Sequence, residues 1–123
     1  ADEMDGYVDV FKAIQAKDGK YSITGNHDYG DYYQWESEEA KADNFKSLLT
    51  KHQNIGFNRL MNENVKVRRD DAHFNLLGVE NWGLPPFPQH GDLDKALKGV
   101  DDQFTLLLSH DPSRSYAWYA IWN

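Results

Sequence analysis

The run Phe104-Thr105-Leu106-Leu107-Leu108-Ser109 constrains this chain more than any other segment. It is apolar at odd and even positions alike, and a strand with that pattern is expected to be covered on both faces. A chain of 123 residues can build one core around such a strand, because a domain of this size buries roughly two-thirds of the surface its unfolded chain exposes. Hydrophobic residues at 40% and aromatic residues at 14%, with no long biased segment, place the chain among globular rather than disordered sequences.

The remaining elements follow from periodicity and punctuation. Met4, Tyr7, Val8, Phe11 and Ile14 recur at helical spacing and predict a first amphipathic helix, with Lys17-Asp18-Gly19 as its stop. Tyr21-Ser22-Ile23-Thr24 reads as a short buried strand that runs into a polar and aromatic loop from Gly25 to Trp35. Ser37 is a good N-cap, and Glu38 and Glu39 follow it where the helix dipole favours negative charge. The second helix is expected to pass through Phe45, Leu48, Leu49 and His52 and to close at Gly56. Two strands, about 64–69 and 73–80, flank Asp70-Asp71 as a hairpin, and Leu84-Pro85-Pro86-Phe87-Pro88 marks a semi-rigid loop. A short helix spans about 92–98, stopped by Gly99, before the apolar strand. The order is α-β-α-β-β-α-β, and the fold class is α/β. No internal repeat is visible.

Charge and composition exclude several functions. A formal charge of −7 and a pI near 5.0 argue against a surface that neutralises nucleic-acid phosphates, so no nucleic-acid partner is expected. The one dense basic run, Lys66-Val67-Arg68-Arg69, alternates as the solvated face of a strand would. The absence of cysteine excludes disulfides and thiolate metal sites, and leaves the compartment open. No stretch approaches the ~18 to 20 apolar residues of a membrane span, so a soluble piece is expected, from a parent either cytoplasmic or membrane-anchored. The chain opens on Ala1-Asp2-Glu3 without an initiator Met and reads as processed or cut.

The two buried strands each deliver a His-Asp pair at their C-terminal end: Gly25-Asn26-His27-Asp28 after the first, Ser109-His110-Asp111-Pro112 after the last. In open α/β sheets that edge is where ligands bind. These blocks, in this order around a helix and a hairpin, resemble the third and fourth signature blocks of the calcineurin-like metallophosphoesterases. Leu77-Gly78-Val79-Glu80-Asn81-Trp82-Gly83 and the proline loop are similar to a bacterial branch of that family. The resemblance covers residues 1–112 and implies a partial α-β-β-α sandwich, an internal fragment of the catalytic domain, with 113–123 as an atypical aromatic tail.

The resemblance also implies roles. Asn26 would ligate a metal through its side-chain oxygen, and Gly25 would give the backbone a sharp exit from the strand. His110 would donate an imidazole nitrogen to the same ion, with Asp111 fixing its tautomer. His27 would stand beside the phosphoryl group as a charge stabiliser or general acid, with Asp28 orienting its ring. A hard oxygen and a neutral imidazole suit Zn, Mn or Fe. In the family, two divalent metals ~3.5 to 4 Å apart activate a water and clamp the phosphate ester that is the substrate. That centre needs further blocks: Asp-x-His and a Gly-Asp-x-x-Asp-like block before Gly25, and Gly-His-x-His after His110. None stands in its place here, so this chain is expected to hold metal weakly or not at all and to be inactive alone.

Look-alikes have simpler readings. Asp71-Ala72-His73 matches Asp-x-His by letter but falls at a hairpin turn, and Gly91-Asp92-Leu93-Asp94 reads as a helix start with Asp92 as cap. Ser109-His110-Asp111 holds the letters of a triad, but adjacent residues cannot converge as a triad must. The phosphohydrolases built on helical His-Asp pairs do not fit, because both pairs here leave strands.

Two functions remain: a fragment of a metal-dependent phosphoesterase, and a folded, non-catalytic module that keeps the scaffold without the metal centre. Tyr29, Tyr32, Tyr33, Trp35 and Trp82 are unranked candidates for reading the organic part of a substrate. Strands interior in the parent become edges in the fragment, so a homo-oligomer is expected through Phe104 to Leu108 or exchange of the tail.

Overall fold

Ser37 begins the longest helix as its side chain allows: extended at φ −157°, it accepts a hydrogen bond from the Ala40 N–H through its hydroxyl. In the computed structural model, which describes residues 1–112, this helix (α2) runs Glu38–Asn54. Glu38 and Glu39 lie in its first turn and Lys51 in its last, each matching the sign of the nearby dipole end. Gly56, at φ +81°, follows the helix in the left-handed region that a residue with a Cβ enters at a cost.

The described chain divides into two compact units, one comprising Ala1–Ser22 and His27–Arg59, the other Ile23–Asn26 and the chain from Leu60 onward. In the first unit a 3-10 stretch, Asp2–Tyr7, leads into α1, Val8–Ala13. The first helix is thus shorter than its apolar spacing predicts, and none of its residues is buried. Of the apolar stripe, Met4 and Val8 are half-buried, whereas Tyr7 is 60% and Ile14 44% exposed. The expected buried strand at 21–24 is also reduced. It becomes β1, Tyr21–Ser22, half-buried and paired in parallel with β2, Asn58–Arg59, a two-residue strand that periodicity could not show. Lys20 Nζ joins the segments by donating to the Phe11 and Ile55 carbonyls at 3.1 and 2.7 Å. Tyr29 stacks on Phe45 of α2 with ring centroids 5.3 Å apart, which buries the loop's first aromatic.

The second unit is built on a three-stranded sheet. β3 (Glu63–Arg69) and β4 (Ala72–Gly78) form the expected hairpin, in register from Glu63 opposite Gly78 to Arg69 opposite Ala72. Asp70 takes φ +52° at the turn, a conformation that Asp tolerates better than most side chains. Val67 is buried while Lys66, Arg68 and Arg69 are exposed, the alternation expected of the basic run. β5 (Thr105–Leu108) lies parallel to β4, from Thr105 opposite Asn75 to Leu108 opposite Gly78. Leu77, Val79 and Ala96 make the buried core, with Leu93, Leu97, Val100 and Leu107 packed on it from α3 (Leu93–Ala96), the turn after it and β5. Asp92 caps α3, accepting from the Lys95 N–H at 2.9 Å, so its acidic motif belongs to a helix start.

Coverage on both faces of the last strand does not hold. Phe104 is 72% and Leu106 44% exposed, and β5 is an edge strand among the described residues. The described residues are mixed α/β, with two sheets among them. The aromatic tail at 113–123 lies outside the described residues.

Candidate functional site

Ile23–Asn26 enters the second unit beside β4, close enough that a Cβ built on Gly78 would lie 2.9 Å from Ile23 Cγ2 and 2.3 Å from Leu60 Cβ. This close approach sets the end of that segment against the end of β5. Asn26 Oδ1 and His110 Nε2 then lie 3.0 Å apart, although 84 residues separate them. Both atoms are of the type the resemblance asks for, a hard amide oxygen and an imidazole nitrogen.

Gly25 makes this meeting possible in a way that differs from its expected role. Its φ is not in the positive region, so no sharp left-handed exit is involved. Instead the imidazole of His110 lies over the glycine: a Cβ at position 25 would stand 2.9 Å from Nδ1 and Cε1. Any side chain there must push the ring away.

The separation of Asn26 and His110 suits a shared ion. Two ligand atoms at roughly 2.1 Å from one octahedral ion, at right angles, are about 3.0 Å apart. Without an ion, Nε2 carries the proton and donates to Asn26 Oδ1; to ligate, the ring must shift that proton to Nδ1. The pair therefore fits a metal but supplies only part of a set. Among the described residues no group of three or more His, Cys, Asp or Glu side chains converges to hold an ion. Asp111 follows in the chain, and its backbone carbonyl accepts from Ser109 Oγ at 2.9 Å.

His27 and Asp28 belong to the first unit, in a 3-10 turn over Asn26–Tyr29. His27 is exposed and lies against Tyr32, ring centroids 4.8 Å apart at 42°. Asp28 acts on a partner that periodicity had placed only on the face of α2, His52. Burial lowers the pKa of His52, Asp28 opposes that effect, and Arg59 adds to the lowering. His52 Nδ1 lies 3.2 Å from Ser22 Oγ. A neutral ring with its proton on Nε2 accepts the Ser22 hydroxyl and so links α2 to β1 at the root of the loop. The sequence signal was a histidine on the inner face of an amphipathic helix, which a buried core histidine shares.

His52 carries a pH prediction. Its folded-state pKa lies below its unfolded value near ~6.5, so the unfolded chain binds more protons in the interval between them. The associated stability is complete above the unfolded value and is lost as the pH falls through the folded one. Urea unfolding should show stability falling from pH 7 to pH 5, with a shallower fall in His52→Gln. Equal slopes in the two proteins would remove His52 as the source.

The Asp71-Ala72-His73 motif is occupied structurally. Asp101 receives Lys66 Nζ, His73 Nε2 at 2.8 Å and Asn75 Nδ2 at 2.8 Å, which pins the segment before β5 to the hairpin. Lys66 foremost, then Asn75 and His73, hold the Asp101 carboxyl well below the usual carboxylate range.

Two named proteins share sequence with this chain. The chain is 22% identical over 111 residues to the uncharacterized metallophosphoesterase YkoQ of Bacillus subtilis (strain 168), a match covering 90% of this chain and 36% of that protein. It is 32% identical over 109 residues to a transmembrane protein with metallophosphoesterase domain from Bos taurus, covering 80% of this chain and 22% of that protein. Both relatives are metallophosphoesterases by name. The chain spans little more than a third of the first and under a quarter of the second. The name implies metal use by those proteins. No family model matches the chain, and no solved structure does. Among the described residues, no helix is long and apolar enough to cross a membrane.

Proposed function

We propose that this chain is part of the catalytic domain of a metal-dependent phosphoesterase of the calcineurin-like family, and that Asn26 and His110 are two ligands of its metal centre. The observation that carries this is the 3.0 Å approach of Asn26 Oδ1 to His110 Nε2. Two named metallophosphoesterases of low identity support the family. The remaining ligands come from sequence outside this chain.

A bound divalent ion supplies Lewis-acid stabilisation of the phosphoryl oxygens and lowers the pKa of water. The rest is the work of this chain's side chains. His27 would hand a ring proton to the ester oxygen as water attacks phosphorus and the bond from phosphorus to that oxygen breaks, so that the phosphoryl group passes to water and the organic group leaves as a neutral alcohol. The His110 ring rests over Gly25 beside Asn26, and in this reading Asp111 would be the carboxylate that selects the His110 tautomer.

Metal binding tests this directly. Titrating Mn²⁺ by calorimetry should show weak binding to this chain, because two ligands leave most positions to water. His110→Ala and Asn26→Ala should abolish it, and Gly25→Ala should weaken it by roughly 10- to 100-fold while leaving the fold intact. Submicromolar affinity that persists in His110→Ala would sink the assignment.

The second reading is a non-catalytic module that keeps the scaffold. It is favoured by the finding that no three His, Cys, Asp or Glu side chains among the described residues converge to hold an ion. Hydrolysis of bis-p-nitrophenyl phosphate separates the two: Mn²⁺-dependent turnover by the protein that contains this chain excludes the module.

A further inference from the structure

We propose that the cavity beside His27 binds an organic ammonium group, of the choline or ethanolamine type, and that this group is the alcohol part of the phosphoester. That the group belongs to the substrate rests on the phosphoesterase reading; that the cavity takes an organic cation does not. The cavity measures about 640 Å³ and lies within the first unit, and His27, Tyr32, Tyr33, Trp35, Asp2 and Glu3 are among the residues lining it. Its volume is within the range of sites for small organic ligands.

The aromatic rings turn outward. Tyr32 is 52% and Tyr33 69% exposed, so packing on the core is not what holds them there. Tyr33 and Trp35 stand 4.8 Å apart at 62°, which presents two inclined ring planes rather than one stacked pair. The Trp35 Nε1–H donates to the Gly30 carbonyl at 2.8 Å, so the indole is fixed and its polar edge is already used. One side of the indole lies over the Gly30 backbone, and the exposed part of Tyr33 offers an electron-rich face.

Charge selects among possible occupants. Asp2 and Glu3 bring carboxylates to the lining, which oppose an anionic group and favour a cation. The nearby Lys51 is engaged, 2.6 Å from Asp5 and 3.7 Å from Asp2. Ring faces with carboxylates beside them suit a quaternary or primary ammonium, which is attracted to the faces and needs no hydrogen-bond acceptor in a fixed place. An alcohol seated there would carry its ester oxygen towards His27, which lines the same cavity.

The test is an NMR titration of the protein with choline and with 3,3-dimethylbutanol, its neutral isostere. Choline should bind about 2- to 30-fold more tightly, the span of a cation on aromatic faces from exposed to desolvated settings. Tyr33→Leu should remove that advantage, and Tyr33→Phe, which keeps the ring face, should retain it. Equal binding of the isostere, or no binding of choline, overturns the proposal, as does an unchanged preference in Tyr33→Leu. The phosphoesterase reading fails separately. Choline preference without Mn²⁺-dependent hydrolysis of p-nitrophenyl phosphorylcholine supports the cation site and overturns its assignment to a substrate; hydrolysis of bis-p-nitrophenyl phosphate without choline preference overturns the cation site alone.

Discussion

Replacing Asn62 by alanine should destabilise the protein by about 3–5 kcal/mol, a large share of the ~5–15 kcal/mol that a domain of ordinary stability has. Asn62 is buried, and its one side chain makes four hydrogen bonds. Its Oδ1 accepts the backbone N–H groups of Glu80 at 3.1 Å and Asp92 at 2.7 Å, while its Nδ2 donates to Glu80 Oε2 at 2.7 Å and the His90 carbonyl at 3.0 Å. It thus ties the start of β3 to both ends of the proline loop. Truncation strands these partners, and an unsatisfied buried group costs about 1–3 kcal/mol. Asn62 also sits at φ +58°, where alanine lacks the local hydrogen bonding that lets Asn tolerate the left-handed region. Urea denaturation followed by circular dichroism measures the change. A loss below about 1 kcal/mol would mean that water replaces the amide and that this hub is dispensable.

The largest effect on activity is expected at His27. In the metal-loaded protein that contains this chain, His27→Ala should lower kcat by about 10²- to 10⁴-fold on an alkyl phosphoester, with metal content unchanged. The split between metal and rate follows from the proposed roles: Asn26 and His110 are the proposed ligand pair, whereas His27 lines the aromatic cavity beside Tyr32. A general acid matters in proportion to the basicity of the oxygen it protonates. The same substitution should therefore cost much less on a p-nitrophenyl ester, whose leaving group needs little help. Equal losses on the two substrates would show His27 acting on the phosphoryl charge instead, and a parallel loss of metal would return it to a structural role.

Short-range features were legible because they depend on residues within a turn or two of one another. Ser37 capping α2, Asp92 capping α3, the Asp70-Asp71 hairpin and the glycine after α2 are all set by local backbone geometry, and each stands where the residues place it. The first helix and the last strand were harder for one shared reason. Periodicity reports which residues could be buried, not whether a partner exists, and Tyr7 and Leu106 stay exposed among the described residues. Pairing of two residues, as between β1 and β2, is too short to leave a pattern.

For the proposed site, the candidate donors were already legible in the residues: an Asn-His-Asp block after one strand and a His-Asp block after another. Only the tertiary structure decided which donors meet. Asn26 reaches His110 because Ile23 lies against Gly78 and the His110 ring rests on Gly25, and neither contact is visible at a distance of 84 residues along the chain. His52 under Asp28, the hub at Asn62 and the cavity walled by Tyr32, Tyr33 and Trp35 are of the same kind. Each depends on side chains brought together by packing, where the free energy comes from the group and no single residue type announces it.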